Sequence, residues 1–255
     1  MEQLMDISHV SYSYHTMQGE TPALSNINFT VHKGDFLAIV GPSGCGKSTL
    51  LSLMAGLLEP EQGSVFLYGQ KVSLKGSHTI GYMLQHDHLF EWRTVEKNVL
   101  LGLEIQNKLT SETKKSVLGL LKTYGLYKFK DARPSQLSGG MRQRAALIRT
   151  LALKPEILLL DEPFSALDYQ TRLTVGDDIG AIIKKEGKTA ILVTHDLSEA
   201  ISLGTQIIVL SKRPATIKKI IPIHFPESIS ALERRNSPEF KDYFNKIWKE
   251  LNEHE

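Results

Sequence analysis

The chain has 255 residues, 41% hydrophobic and 23% charged, with 30 Lys and Arg against 28 Asp and Glu; that suffices for one large α/β domain, and a net charge of +2 leaves no footprint for nucleic acid or an anionic membrane. The single cysteine, Cys45, excludes an internal disulfide and suits a reducing cytosol. No window reaches ~18 consecutive apolar residues, and Met1, Glu2 and Gln3 do not begin a signal peptide, so any membrane role is expected to run through a partner.

Ile7 to Tyr14 and Ile27 to Val31 alternate apolar and polar residues and read as antiparallel strands. Phe36 to Val40 is a short apolar run ending at Gly41, which suits a buried strand, and Lys47 to Gly56 follows as a helix. Gly63 to Tyr68 and Thr79 to Leu84 read as further strands. From Thr94 the spacing becomes helical, over Thr94 to Gln106 and again over Ser111 to Tyr124, with Ser111 as cap and Gly125 as stop. A third helix is expected over Gly140 to Leu153, ending before Pro155. The α/β pattern returns with a strand at Ile157 to Leu160, a helix at Tyr169 to Glu186 and a strand at Thr189 to Thr194. Such alternation predicts a mostly parallel sheet covered by helices, interrupted by a helical insert. Ser237 and Pro238 start a final helix that sets Phe240, Phe244, Ile247 and Leu251 along one face.

Gly41, Pro42, Ser43, Gly44, Cys45, Gly46, Lys47 and Ser48 match G-x-x-x-x-G-K-S between a strand and a helix, the context a phosphate loop requires. Glycines let the backbone curl until successive N–H groups point at phosphate oxygens, and the helix start adds its positive end. Lys47 is expected to reach the β- and γ-phosphates of ATP, and the Ser48 hydroxyl to ligate Mg²⁺. The run Ile157 to Glu162 delivers two carboxylates at the end of a buried strand. Asp161 fits a Mg²⁺ holder and Glu162 a general base for the attacking water. Without the phosphate loop upstream, a solvated loop would account for the same pair equally well.

Leu137, Ser138, Gly139, Gly140, Met141, Arg142, Gln143 and Arg144 resemble the signature sequence of ABC ATPases. Ser138 and two glycines before a helix make a second anion site, whereas an ordinary N-cap accounts for Ser138 but not for the glycines. The resemblance covers roughly Ile7 to Ile220. It implies an α/β P-loop NTPase fold with an antiparallel N-terminal β-subdomain and a helical insert. Its domain plan is a nucleotide-binding domain at 1–225, a helical subdomain at about 88–153, and a C-terminal helical tail at 226–255. It implies that Tyr14 stacks on adenine, with Tyr12 a neighbouring competitor, and that Thr49 completes the phosphate loop. Gln85 would contact Mg²⁺ and the attacking water. Asp168, in Ser165-Ala-Leu-Asp168, would communicate across a dimer, serve as a plain N-cap, or do both. His195 would hydrogen-bond the γ-phosphate and hold Glu162 and water in line.

By the same resemblance two copies form a head-to-tail dimer that sandwiches two ATP molecules. The dimer sits at the cytoplasmic face of the membrane on a permease, which is fed indirectly by a solute-binding protein; no nucleic-acid partner is expected. Leu89 to Thr94, Asp168 to Arg172, Leu210 to Pro214 and Arg234 to Phe240 are similar to importers of nitrate, sulfonate and taurine, a group that includes thiamine-precursor importers. Two positions depart from that branch. Glu91 stands where a proline is usual, and Leu203 to Gln206 replaces Leu-Ala-Asp-Arg. A non-transport ABC ATPase would carry a coiled-coil insertion or a second such domain, and a small-molecule kinase would need neither the signature nor His195.

Overall fold

The computed structural model describes residues 2–17, 19–73, 79–226 and 228–252, so the last three residues of the expected tail lie outside it. Two sheets form the core. The first pairs β1 (Gln3–Thr16) with β2 (Gly19–His32), β4 (Gln62–Leu67) and β5 (Gln70–Lys71), all antiparallel, in the order β2-β1-β4-β5. Leu4, Met5, Ile7 and Val10 of β1 are buried while Gln3, His15 and Thr16 face solvent, as expected of a sheet wet on one face.

The second sheet runs β10-β9-β3-β8-β7-β6, comprising β3 (Phe36–Val40), β6 (Ile80–Met83), β7 (Ile157–Asp161), β8 (Thr189–Val193), β9 (Gln206–Leu210) and β10 (Ile217–Pro222). All neighbours are parallel except β10 on β9. Every residue of β3, β7 and β8 is buried, which is why these segments read as continuous apolar runs.

Helix α1 (Lys47–Met54) follows β3. Three helices separate β6 from β7: α2 (Val95–Ile105), α3 (Ser111–Thr123) and α4 (Gly139–Leu151). The cap of α3 is Thr110, one residue earlier than expected: its hydroxyl accepts from Thr113 N–H at 3.2 Å, and Thr113 Oγ1 accepts from Thr110 N–H at 2.8 Å. That reciprocal pair satisfies two groups at once, which Ser111 inside the helix does not.

Helix α5 (Tyr169–Lys185) precedes β8, and α6 (Leu197–Leu203) follows it. A short turn of helix, α7 (Ala231–Arg234), leads to α8 (Pro238–Asn252). Ile247 is fully buried, and Phe240, Phe244 and Leu251 pack with it against Ile201, Val209 and Ile221. No helix among the described residues is long and apolar enough to cross a membrane.

Candidate functional site

Parallel pairing brings the carboxyl ends of β6, β7, β8 and β3 side by side, so the segments leaving them converge on one edge of the sheet. Gly41 to Gly46 leave β3, Asp161 ends β7, His195 lies just past β8 and Gln85 just past β6.

In the phosphate loop, Ser43, Gly44 and Ser48 form the exposed rim. Gly46 adopts φ 120°, and a Cβ there would lie 2.9 Å from Leu24 and 3.1 Å from the Ala23 carbonyl, so only glycine serves at this turn. Lys47, 6% exposed, donates to the Gly41 and Pro42 carbonyls at 2.9 and 3.0 Å. Thr49 bonds the Tyr14 hydroxyl at 2.9 Å, which ties the first sheet to the loop. Tyr12 meets Tyr14 edge-to-face at 5.1 Å, so the two tyrosines form one unit.

Cys45 lies within the phosphate loop, yet its thiol does not face the place of the nucleotide. Its side chain is buried in the core beneath the loop, and burial pushes the thiol up despite the opposing charge of Lys47. Only its backbone faces the loop, with its N–H on the Pro42 carbonyl at 3.3 Å.

Ser48 Oγ donates to Asp161 Oδ1 at 2.9 Å, joining the loop to β7. Tyr82 donates to the other Asp161 oxygen at 3.3 Å. Burial pushes the Asp161 carboxyl up, only partly offset by Ser48 and Tyr82, while burial and Asp161 push the Tyr82 hydroxyl up to about 12. A hydroxyl and a buried carboxylate are hard oxygen donors, and their adjacency fits a Mg²⁺ ion.

Glu162 has φ 43°, a left-handed conformation uncommon for a non-glycine residue, and its N–H is held by the Val193 carbonyl at 2.9 Å. This turn aims its carboxylate along the edge of the sheet. His195 Nδ1 lies 3.2 Å from Glu162 Oε2, and Gln85 Nε2 lies 3.5 Å from the same oxygen and 3.3 Å from Ser165 Oγ. Ser165 in turn donates to the Glu162 carbonyl at 3.0 Å. Three expected residues from three strand ends therefore meet on one carboxylate. Gln85 makes these contacts with Glu162 and Ser165 rather than with the Ser48–Asp161 pair.

Ser138, Gly139 and Gly140 stand apart from this group at the N-terminus of α4. Ser138 is a cap, accepting from Met141 N–H at 3.4 Å. The glycines have a reason inside the chain: a Cβ on Gly139 would lie 2.9 Å from Leu167, and one on Gly140 2.6 Å from Val175. Packing inside the chain therefore calls for both glycines: Gly139 clears Leu167 in the loop before α5, and Gly140 lets α4 approach α5 at Val175. Asp168 caps α5 by accepting from Thr171 N–H at 3.0 Å, and the side-chain and backbone donors of Thr171 hold its carboxyl below the usual range.

Sequence reasoning missed Tyr82, Asp87 and Arg149, whose partners are remote in sequence, and Asn98, whose partners Phe90, Arg93 and Thr94 lie close before it. It also missed Glu199, 3% exposed, which accepts from Thr194 Oγ1 at 2.6 Å directly before His195.

A family model described as ABC transporter matches residues 24–165. The chain is 49% identical over 251 residues to the ABC transporter ATP-binding protein YtlC of Bacillus subtilis (strain 168), covering 97% of this chain and 95% of that protein. It is 37% identical over 243 residues to the aliphatic sulfonates import ATP-binding protein SsuB of Bacillus cereus, covering 95% and 94%. Its structure resembles the dimeric post-hydrolysis state of the ATP-binding cassette MJ0796 bound to ADP and Pi. The TM-score is 0.74 at 31% identity, over 88% of this chain and all of that one.

Proposed function

This chain belongs to the ABC transporter family, as an ATP-binding protein that hydrolyses ATP for transport, and from that premise we propose that it powers an importer of a small anionic solute of the nitrate, sulfonate or taurine kind. The observation that carries the catalytic part is the meeting of Gln85, Glu162 and His195 beside the Ser48–Asp161 pair. In this reading the backbone of residues 41–49 cradles the phosphates and Tyr14 stacks on adenine. Lys47 exchanges the Gly41 and Pro42 carbonyls for β- and γ-phosphate oxygens. Ser48 and Asp161, with Gln85 turned toward them from its place beside Glu162, would hold Mg²⁺, which would supply positive charge to offset that of the phosphates.

Glu162 takes a proton from the water that attacks the γ-phosphorus, and ADP leaves in line. His195 fixes the Glu162 carboxylate and faces the γ-phosphate. Ser138, Gly139, Gly140 and Asp168 of a second copy close the site from the other side. Residues 1–225 form the nucleotide-binding domain, with 88–153 as its helical subdomain and 226–255 as a tail. The dimer sits on the cytoplasmic face of a permease, which a solute-binding protein supplies. Import is supported by the likeness to SsuB, named for sulfonate import.

Glu162→Gln tests the chemistry. ATP binding is expected to persist, because the amide is nearly isosteric and lies outside the cradle, while phosphate release falls by about 10²-fold or more. A variant with more than half the parent turnover removes Glu162 as the base. Uptake of labelled taurine, an alkanesulfonate and nitrate, in cells with and without the gene, tests the cargo. Loss of one of them names it, and unchanged uptake of all three overturns the anion reading.

A further inference from the structure

The segment from Gln85 to Thr94 leaves the core at β6, and beyond Gln85 its hydrogen bonds lead to the helical insert. Arg142, in the first turn of α4, donates from Nε to Asp87 Oδ2 at 2.8 Å and from an amino group to Asp87 Oδ1 at 3.3 Å. The same guanidinium lies 3.2 Å from Glu91 Oε1, so the residue that departs from the usual proline supplies its second anion. Arg149, two turns along α4, donates to the Asp87 and His88 carbonyls at 2.6 and 2.7 Å. Asn98 of α2, fully buried, accepts from Phe90 N–H at 2.7 Å and donates to the Phe90, Arg93 and Thr94 carbonyls.

A bidentate guanidinium–carboxylate pair fixes both distance and angle, which a single contact does not. Burial alone would raise the Asp87 carboxyl, and the Arg142 donors hold it below the usual carboxylate range. Arg142 N–H also closes the first turn of α4 on the Ser138 carbonyl at 2.9 Å. A continuous path therefore runs from Ser138 through Arg142 and Asp87 to Gln85. On its outer side the segment presents Phe90 and Trp92, stacked at 4.7 Å, with Trp92 73% exposed.

We infer that Arg142 is a positioning residue that locks the Gln85–Trp92 segment to the N-terminal turn of α4, so that nucleotide closing on Ser138 shifts the Phe90–Trp92 face as one body with α4. Asp87 is its principal anchor and Glu91 its second. The inference rests on the shared-site reading, in which Ser138 meets the γ-phosphate of a partner copy.

Two tryptophans occur in the chain, so Trp248→Phe leaves Trp92 as the only reporter. The parent is the full chain carrying Glu162→Gln and Trp248→Phe. Acrylamide quenching of Trp92 is measured with and without MgATP, and trapped ATP is counted on the same samples. MgATP is expected to change quenching in the parent by about twofold, and Arg142→Ala to remove most of that change while trapped ATP stays within about twofold. Arg142→Lys keeps charge without the fork and should restore only part of it. Asp87→Asn, nearly isosteric, should act like Arg142→Ala and serves if the alanine variant unfolds.

An undiminished Trp92 response in both Arg142→Ala and Asp87→Asn overturns the inference. So does a parent that traps ATP without any Trp92 response. A parent that traps no ATP instead overturns the shared-site reading, and this inference with it.

Discussion

At the scale of single residues, Glu199, one helical turn after His195, sits in strongly perturbed surroundings. It is buried beside Thr194, with the Arg172 guanidinium 3.8 Å away and Asp196 and His195 as further neighbours. Burial, aided by Asp196 and opposed by Thr194, Arg172 and His195, raises its pKa from 4.5 to about 7. Below the unfolded value both states hold the proton and pH has no effect. Between the two values only the unfolded chain ionises, so stability falls as pH rises, by about 3 kcal/mol in total, and then stays level. Glu199→Gln removes this titration. Its urea midpoint relative to the parent is expected to improve from about pH 5 to about pH 8, and parallel pH curves would refute the assignment. The placement of the residues that the proposed function uses was legible from the sequence, because Lys47, Ser48, Asp161, Glu162 and His195 sit at fixed offsets from strand ends. Glu199 was not, since a glutamate one helical turn after a histidine looks like any surface carboxylate until burial is known. The burial of Cys45 was hidden for the same reason: a loop position does not reveal which way a side chain turns.

At the scale of elements, the segment after β6 offers the clearest surface for a partner. Leu84, Phe90 and Trp92 are exposed together, on a chain with no spanning helix among its described residues. Replacing Phe90 and Trp92 with alanine is expected to reduce co-purification with the permease while lowering stability by only about 1 kcal/mol, the worth of an aromatic stack. Full retention of the permease with an intact fold would place the docking groove elsewhere. The strands and longer helices were readable because their apolar periods are clear. Helix α6, β9 and β10 were not assigned. Six of the seven residues of α6 are buried, so it shows no amphipathic period, and β10 mixes Lys218 and Lys219 into an edge strand. The α3 cap was missed by one residue because Thr110 and Ser111 are both competent, and only the reciprocal bond to Thr113 selects between them.

At the scale of the whole molecule, the phosphate loop and the Ser138 turn stand apart within one chain, although the proposed function has both face the same phosphate. Mixing Lys47→Ala with Ser138→Arg, both carrying Glu162→Gln, separates the alternatives. A shared arrangement leaves one intact site in the mixed dimer, which is expected to trap about one ATP per dimer, while either variant alone traps little. Absence of trapping in verified mixed dimers, together with failure of cysteines at positions 43 and 138 to cross-link, would exclude the shared site. The choice of Ser138 over its neighbours matters, since Gly139 and Gly140 are needed for α4 to seat on Leu167 and Val175. The tail has a role of its own. With Ile247 sunk among Ile201, Val209 and Ile221, α8 is the cover of the third core. A protease that clipped the chain ahead of α8 would not shed an inert appendage: it would leave a particle that displays a contiguous greasy patch and seeks its own kind.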